Sequence, residues 1–115
     1  SPSILLAGMA GSRLPIAVAH GEGFANFSAR GDEVAVLRAA RYVDGAGRPA
    51  AAYPVNPNGS PDGLTAVTTP DGRFTAMMPH PERVQRNVQL SWTSGPVEQE
   101  SPWLRMFRNA RARVD

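Results

Sequence analysis

The sequence predicts an α/β domain built on a mixed sheet, and three observations carry that reading. Residues 4–7 and 15–19 are short, almost wholly apolar runs, the pattern of strands buried on both faces in a parallel or mixed sheet. Residues 64–69 and 73–78 flank Pro70-Asp71-Gly72, the strongest hairpin signal in the chain. A single amphipathic helix closes the sequence, with Ser101 as its cap and Pro102 at its first position.

Between the two apolar runs, Gly8, Gly11 and Ser12 supply a loop. Residues 31–40 place Val34, Leu37 and Ala40 at helical spacing after Asp32 as N-cap, which predicts a short helix. Residues 40–44 then read as a strand that ends in the turn Asp44-Gly45-Ala46-Gly47. Residues 50–55 form another extended segment, leading into Asn56-Pro57-Asn58-Gly59-Ser60-Pro61-Asp62-Gly63. That octet is too rich in turn formers to be regular structure. The hairpin follows, and residues 93–99 read as a short loop before the final helix. On that helix Trp103, Met106, Phe107, Ala110 and Val114 form one apolar face, so Trp103 and Phe107 are packing residues rather than a ligand platform.

Composition narrows the function. The 115 residues bound the chain to one domain at most. No apolar run approaches membrane-spanning length and no signal peptide is evident, so a cytoplasmic location with no membrane partner is expected. The chain has no cysteine, which excludes a disulfide framework, a thiolate metal site and a cysteine nucleophile within these residues. All 12 basic residues are arginine, with no lysine, and the formal charge is only +2. Arg105, Arg108, Arg111 and Arg113 crowd the C-terminus but share a helix with the apolar face and lack interleaved aromatics. Nucleic acid is therefore not an expected partner. No lysine serves a phosphate loop, and the glycines do not spell one.

The segment richest in chemistry is Met77-Met78-Pro79-His80-Pro81-Glu82-Arg83. Pro79 fixes its own φ, and Pro81 pushes His80 out of the α region, so His80 is held extended. Residues two apart in an extended segment share a side, which turns the Glu82 carboxylate toward the imidazole. A carboxylate on one ring nitrogen fixes the tautomer and leaves the other nitrogen to take a proton from a thiol or hydroxyl. The same residues also fit a surface turn without chemistry. His20, followed by Gly21-Glu22-Gly23, is the second histidine. A metal site joining it to His80 and Glu82 is one reading, and a strand-end histidine bonded to a backbone carbonyl is the plainer one. Arg83 and Arg86 follow on what reads as a helical turn, either facing solvent or meeting a neighbouring domain.

The His80-Pro81-Glu82 run resembles the corresponding segment of class I, triad-type glutamine amidotransferases. Four stretches sharpen the likeness: Leu5-Leu6-Ala7-Gly8-Met9-Ala10-Gly11-Ser12-Arg13, Ala17-Val18-Ala19-His20-Gly21-Glu22-Gly23, Tyr53-Pro54-Val55-Asn56-Pro57-Asn58-Gly59-Ser60-Pro61, and residues 101–111. Together they resemble the C-terminal glutaminase domain of the large bacterial phosphoribosylformylglycinamidine synthases. The resemblance implies that residues 1–115 are one partial domain, the C-terminal portion of a flavodoxin-like fold lacking its N-terminal half. It implies His80 and Glu82 as two members of a Cys-His-Glu triad whose cysteine lies elsewhere, with glutamine as substrate and His20 near the glutamine pocket. It further implies a ligase of purine biosynthesis whose synthetase domain uses ATP and magnesium, with no cofactor held by these residues. The chain alone is then expected to be inactive and to show unsatisfied strand edges. The alternative is a binding or scaffold module of the same fold.

Overall fold

A computed structural model describes residues 1–29, 32–92 and 100–115. The loop expected over residues 93–99, Gly31 and the side chain of Asp32 lie outside the described residues. Three strands and one helix organise the rest: β1 (Leu37–Arg41), β2 (Leu64–Thr68), β3 (Thr75–Met77) and α1 (Leu104–Val114). The chain is thus α/β. Its described sheet is antiparallel throughout, in the order β1-β2-β3.

The hairpin stands where its turn residues place it. Thr69 N–H donates to Phe74 O at 3.0 Å and Gly72 N–H to Thr69 O at 2.9 Å, closing Pro70-Asp71-Gly72. Gly72 has φ +71°, a conformation that costs other residues more than glycine, and its carbonyl accepts from Ile4 N–H at 3.0 Å. β2 alternates as a half-buried strand should, with Leu64, Ala66 and Thr68 inward. The turn at Asp44 also forms: its carboxylate accepts from Ala46 N–H at 2.9 Å and Arg48 N–H at 3.0 Å. Those donors hold the Asp44 carboxyl below its ordinary range, the Arg48 amide first among them.

Several expected elements take another form. Residues 4–7 are a chain of turns, not a strand, with Ala7 N–H on Ile4 O at 3.3 Å and Met9 N–H on Leu6 O at 3.0 Å. Their carbonyls are taken by side chains of α1: Asn109 Nδ2 donates to Leu5 O and Ala7 O at 2.8 and 2.9 Å, and Arg105 Nε to Ala7 O at 3.2 Å. Residues 15–19 likewise form no ladder, because Trp103 Nε1 donates to Pro15 O at 2.7 Å and Arg83 to Ala19 O at 3.1 Å. Short apolar runs do not distinguish a strand from turns packed on a core, and here tertiary contacts decide.

The helix expected over residues 31–40 is a 3-10 turn, Asp32–Ala35, followed by β1. Pairing of Leu37 with Thr68 and Arg38 with Val67 overrides the helical spacing. Arg38 also pairs with Asp62 at 2.7 Å and Glu33 at 3.0 Å. Residues 50–55 turn instead of extending, with Asn56 N–H on Ala52 O at 2.9 Å. Alanine favours strands weakly and Pro54 offers no ladder donor, so nothing local holds this stretch straight.

Val84, Trp103 and Met106 form the buried centre, and Leu5, Leu6, Met9, Leu14, Ile16, Met77 and Leu90 pack on it. α1 begins at Leu104, later than the Ser101-Pro102 start read from the sequence, with Trp103 at its cap position. Ser101 Oγ accepts from Trp103 N–H at 3.0 Å in the turn before it. Only part of its apolar face is covered: Trp103 and Met106 are buried, while Phe107 and Val114 stay exposed. No helix among the described residues is long and apolar enough to cross a membrane.

Candidate active site

β3 delivers the chain to the site. Met78 N–H donates to Thr65 O at 3.0 Å, extending the β2–β3 pairing to the residue before Pro79. Pro79 is fully buried, and His80 follows with φ −92° and ψ 105°, extended as its two proline neighbours require. Pro81 then opens a 3-10 turn, Pro81–Val84, whose two end residues are buried. This anchors the turn at both ends and leaves Glu82 and Arg83 on its outer side.

His80 Nδ1 and Glu82 Oε1 lie 2.9 Å apart. The partnership expected from the sequence is present, but its geometry differs from the expected one. Glu82 sits in a 3-10 turn, not in a continuing strand, so the carboxylate reaches the imidazole by the tight winding after Pro81 and not by two-residue alternation. The side chains are 38% and 54% exposed, and an ion pair this open adds little to stability. What it contributes is orientation, because the contact engages Nδ1 and leaves Nε2 on the other side of the ring.

His20 stands beside the pair. The two imidazoles meet edge to face, with centroids 6.5 Å apart and planes at 71°. His20 Nε2 is buried and has no hydrogen-bond partner among the described residues, so the backbone carbonyl expected for it is not found there. Among those residues no three of His, Cys, Asp and Glu converge to hold a metal ion. Arg83 is exposed, and its guanidinium donates to Ala19 O, one residue before His20.

Asn58 was not legible as a site residue. Its Nδ2 donates to Met78 O at 3.2 Å, and its Oδ1 accepts from Tyr42 Oη at 3.3 Å. Burial pushes the Tyr42 phenol up to about 12, against the opposing pull of the Asn58 hydrogen bond. The octet around Asn58 is itself tied down: Asn56 Nδ2 reaches Ala50 O and Ser60 O at 3.0 and 2.9 Å, and Ser60 Oγ accepts from Ala25 N–H at 2.9 Å. Two asparagines in a turn-rich octet were the available signal, because such side chains bond to nearby backbone.

Two concavities adjoin these elements. A groove of about 220 Å³ runs from Gly23 and Phe24 along β2 and β3 to Met78. A cleft of about 660 Å³ lies between residues 8–15 and the start of α1, lined by Arg13, Trp92, Glu100 and Arg105 among others, and neither histidine lines it. Three of the four C-terminal arginines have partners within the chain: Arg105 on Ala7 O, Arg108 on Glu100 and Arg111 on Asp115.

The histidine–carboxylate pair stands just past a strand end, where α/β folds place functional side chains. A family comparison makes this specific, since the model of the CobB/CobQ-like glutamine amidotransferase domain matches residues 1–114. The chain belongs to that family.

Proposed function

We propose that this chain supplies the base and its orienting acid to a Cys-His-Glu triad that hydrolyses glutamine. The observation that carries the reading is the 2.9 Å contact between His80 Nδ1 and Glu82 Oε1 at the end of β3, in a chain of glutamine amidotransferase type that has no cysteine. The thiol comes from polypeptide outside these 115 residues. His80 Nε2 takes the thiol proton as sulfur attacks the side-chain amide carbon. It returns that proton to the departing nitrogen, releasing ammonia and leaving a thioester. Water then loses a proton to Nε2 and attacks the thioester, and the proton returns to sulfur as glutamate leaves. Glu82 holds the ring through both half-reactions and balances the imidazolium that each one forms.

The finer reading rests on the four stretches quoted above: the parent enzyme is a phosphoribosylformylglycinamidine synthase. Ammonia made here then serves the ATP-dependent amidation of formylglycinamide ribonucleotide in the cytoplasm, as a step of purine synthesis. In this reading ATP and magnesium serve the synthetase domain.

Ammonia release decides the matter. The purified 115-residue chain is expected to release none from glutamine, whereas the intact polypeptide that carries the cysteine releases it and His80→Ala lowers kcat by about 10³-fold. Turnover by the chain alone, or unchanged turnover in His80→Ala, overturns the assignment. The latter result favours a non-catalytic module of the same fold.

A further inference from the structure

The backbone of His80 is fixed by two prolines, but its ring is not. The carboxylate contact from Glu82 holds one ring nitrogen of a side chain that is 38% exposed. A proton carrier works only when its orientation is held within roughly 10–20°. Something else has to limit the ring.

His20 is placed to do so. Its ring meets that of His80 edge to face, within the range over which aromatic pairs attract. No hydrogen bond among the described residues uses the His20 ring, and its Nε2 is buried without a partner. Its contact with His80 among these residues is one of ring against ring. Gly23 lies close against it: a Cβ there would overlap His20 Cε1 and come within 2.9 Å of Asn58 Cγ. Asn58 in turn bonds Met78 O, two residues before His80, and Arg83 of the Glu82 turn bonds Ala19 O, the residue before His20. The brace and the pair it touches are therefore tied together at both ends.

We infer that His20 is a positioning residue, an aromatic brace set edge to face against His80 so that Nδ1 stays on Glu82. This rests on the reading of His80 as the proton carrier. Removing the brace leaves binding intact and spoils the angle of transfer, so the loss falls on kcat.

Four variants of the intact polypeptide test it, together with histidine ring NMR of the full chain, which has two histidines to assign. His20→Ala is expected to lower glutaminase kcat about tenfold with KM changed less than about twofold. His20→Phe restores most of that loss, because it keeps the ring and drops only the unused nitrogens. Gly23→Ala also lowers kcat, and the double variant loses less than the sum of the two, since the added methyl then meets Asn58 but no ring. The His80 Cε1–H resonance shifts in His20→Ala and Gly23→Ala. A His20→Phe enzyme as poor as His20→Ala, additive losses in the double variant, or an unmoved His80 resonance overturns the brace. Failure of the parent reading shows separately, as turnover that survives His80→Ala.

Discussion

His80 and Glu82 meet at 2.9 Å because the residues around them leave the chain few alternatives. Prolines on both sides set the histidine's backbone, and burial of Pro81 and Val84 pins the turn that carries the acid. If the acid orients the ring, Glu82→Gln keeps the shape and weakens the hold on the tautomer. Glutaminase kcat in the intact polypeptide is expected to fall about 10²-fold, with KM little changed. An equal kcat in that variant would separate Glu82 from the chemistry. Tyr42 offers a residue-level test of stability. Its folded pKa is raised to about 12 by burial, above the ordinary phenol value of 10.0. Below the unfolded value both states are protonated and the stabilisation is fully present. As pH rises from there through the folded value it is lost, because the unfolded chain ionises first. Chemical denaturation between pH 9 and about 12 should show this decline, and Tyr42→Phe should flatten it.

At the scale of elements, the site depends on one hairpin and one 3-10 turn. Pro70-Asp71-Gly72 made the hairpin legible, and β3 leads to His80 as the turn chemistry requires. The 3-10 turn was less legible, since Pro81-Glu82-Arg83-Val84 is too short for periodicity to declare itself. Its hold comes from Val84, which is 1% exposed in the cluster with Trp103 and Met106. Val84→Ala is expected to cost about 2 kcal/mol through lost burial and the cavity left behind. A lowered denaturation midpoint with unchanged slope would show it, and a loss below about 0.5 kcal/mol would mean that the turn is not anchored there. Asn58 and its octet hid for a different reason. A run of turn formers shows that the chain is irregular, but which backbone groups its side chains capture depends on segments more than thirty residues away, as Ser60 with Gly23 and Ala25 illustrates.

For the molecule as a whole, the described sheet has three strands, with β1 and β3 at its edges. Phe24, Tyr53, Phe74, Val88 and Trp92 are all more than half exposed. Edges and apolar side chains of this kind are self-pairing hazards. The chain on its own is expected to associate in sedimentation at micromolar concentration, and polypeptide that covers these surfaces should return it to a defined stoichiometry. A well-behaved monomer would show that these surfaces need no cover.

The sequence by itself determined the α/β class, the hairpin, the presence of the terminal helix and the extended histidine with its acid two residues on. Each of these is decided by local chemistry: proline geometry, turn residues, helical spacing of apolar residues, a short separation. Only the tertiary structure decided that residues 4–7 and 15–19 would be turns and unpaired chain, because Asn109, Arg105, Trp103 and Arg83 take their carbonyls from far along the sequence. It alone also set His20 against His80, sixty residues apart, since no local rule fixes where two such segments meet.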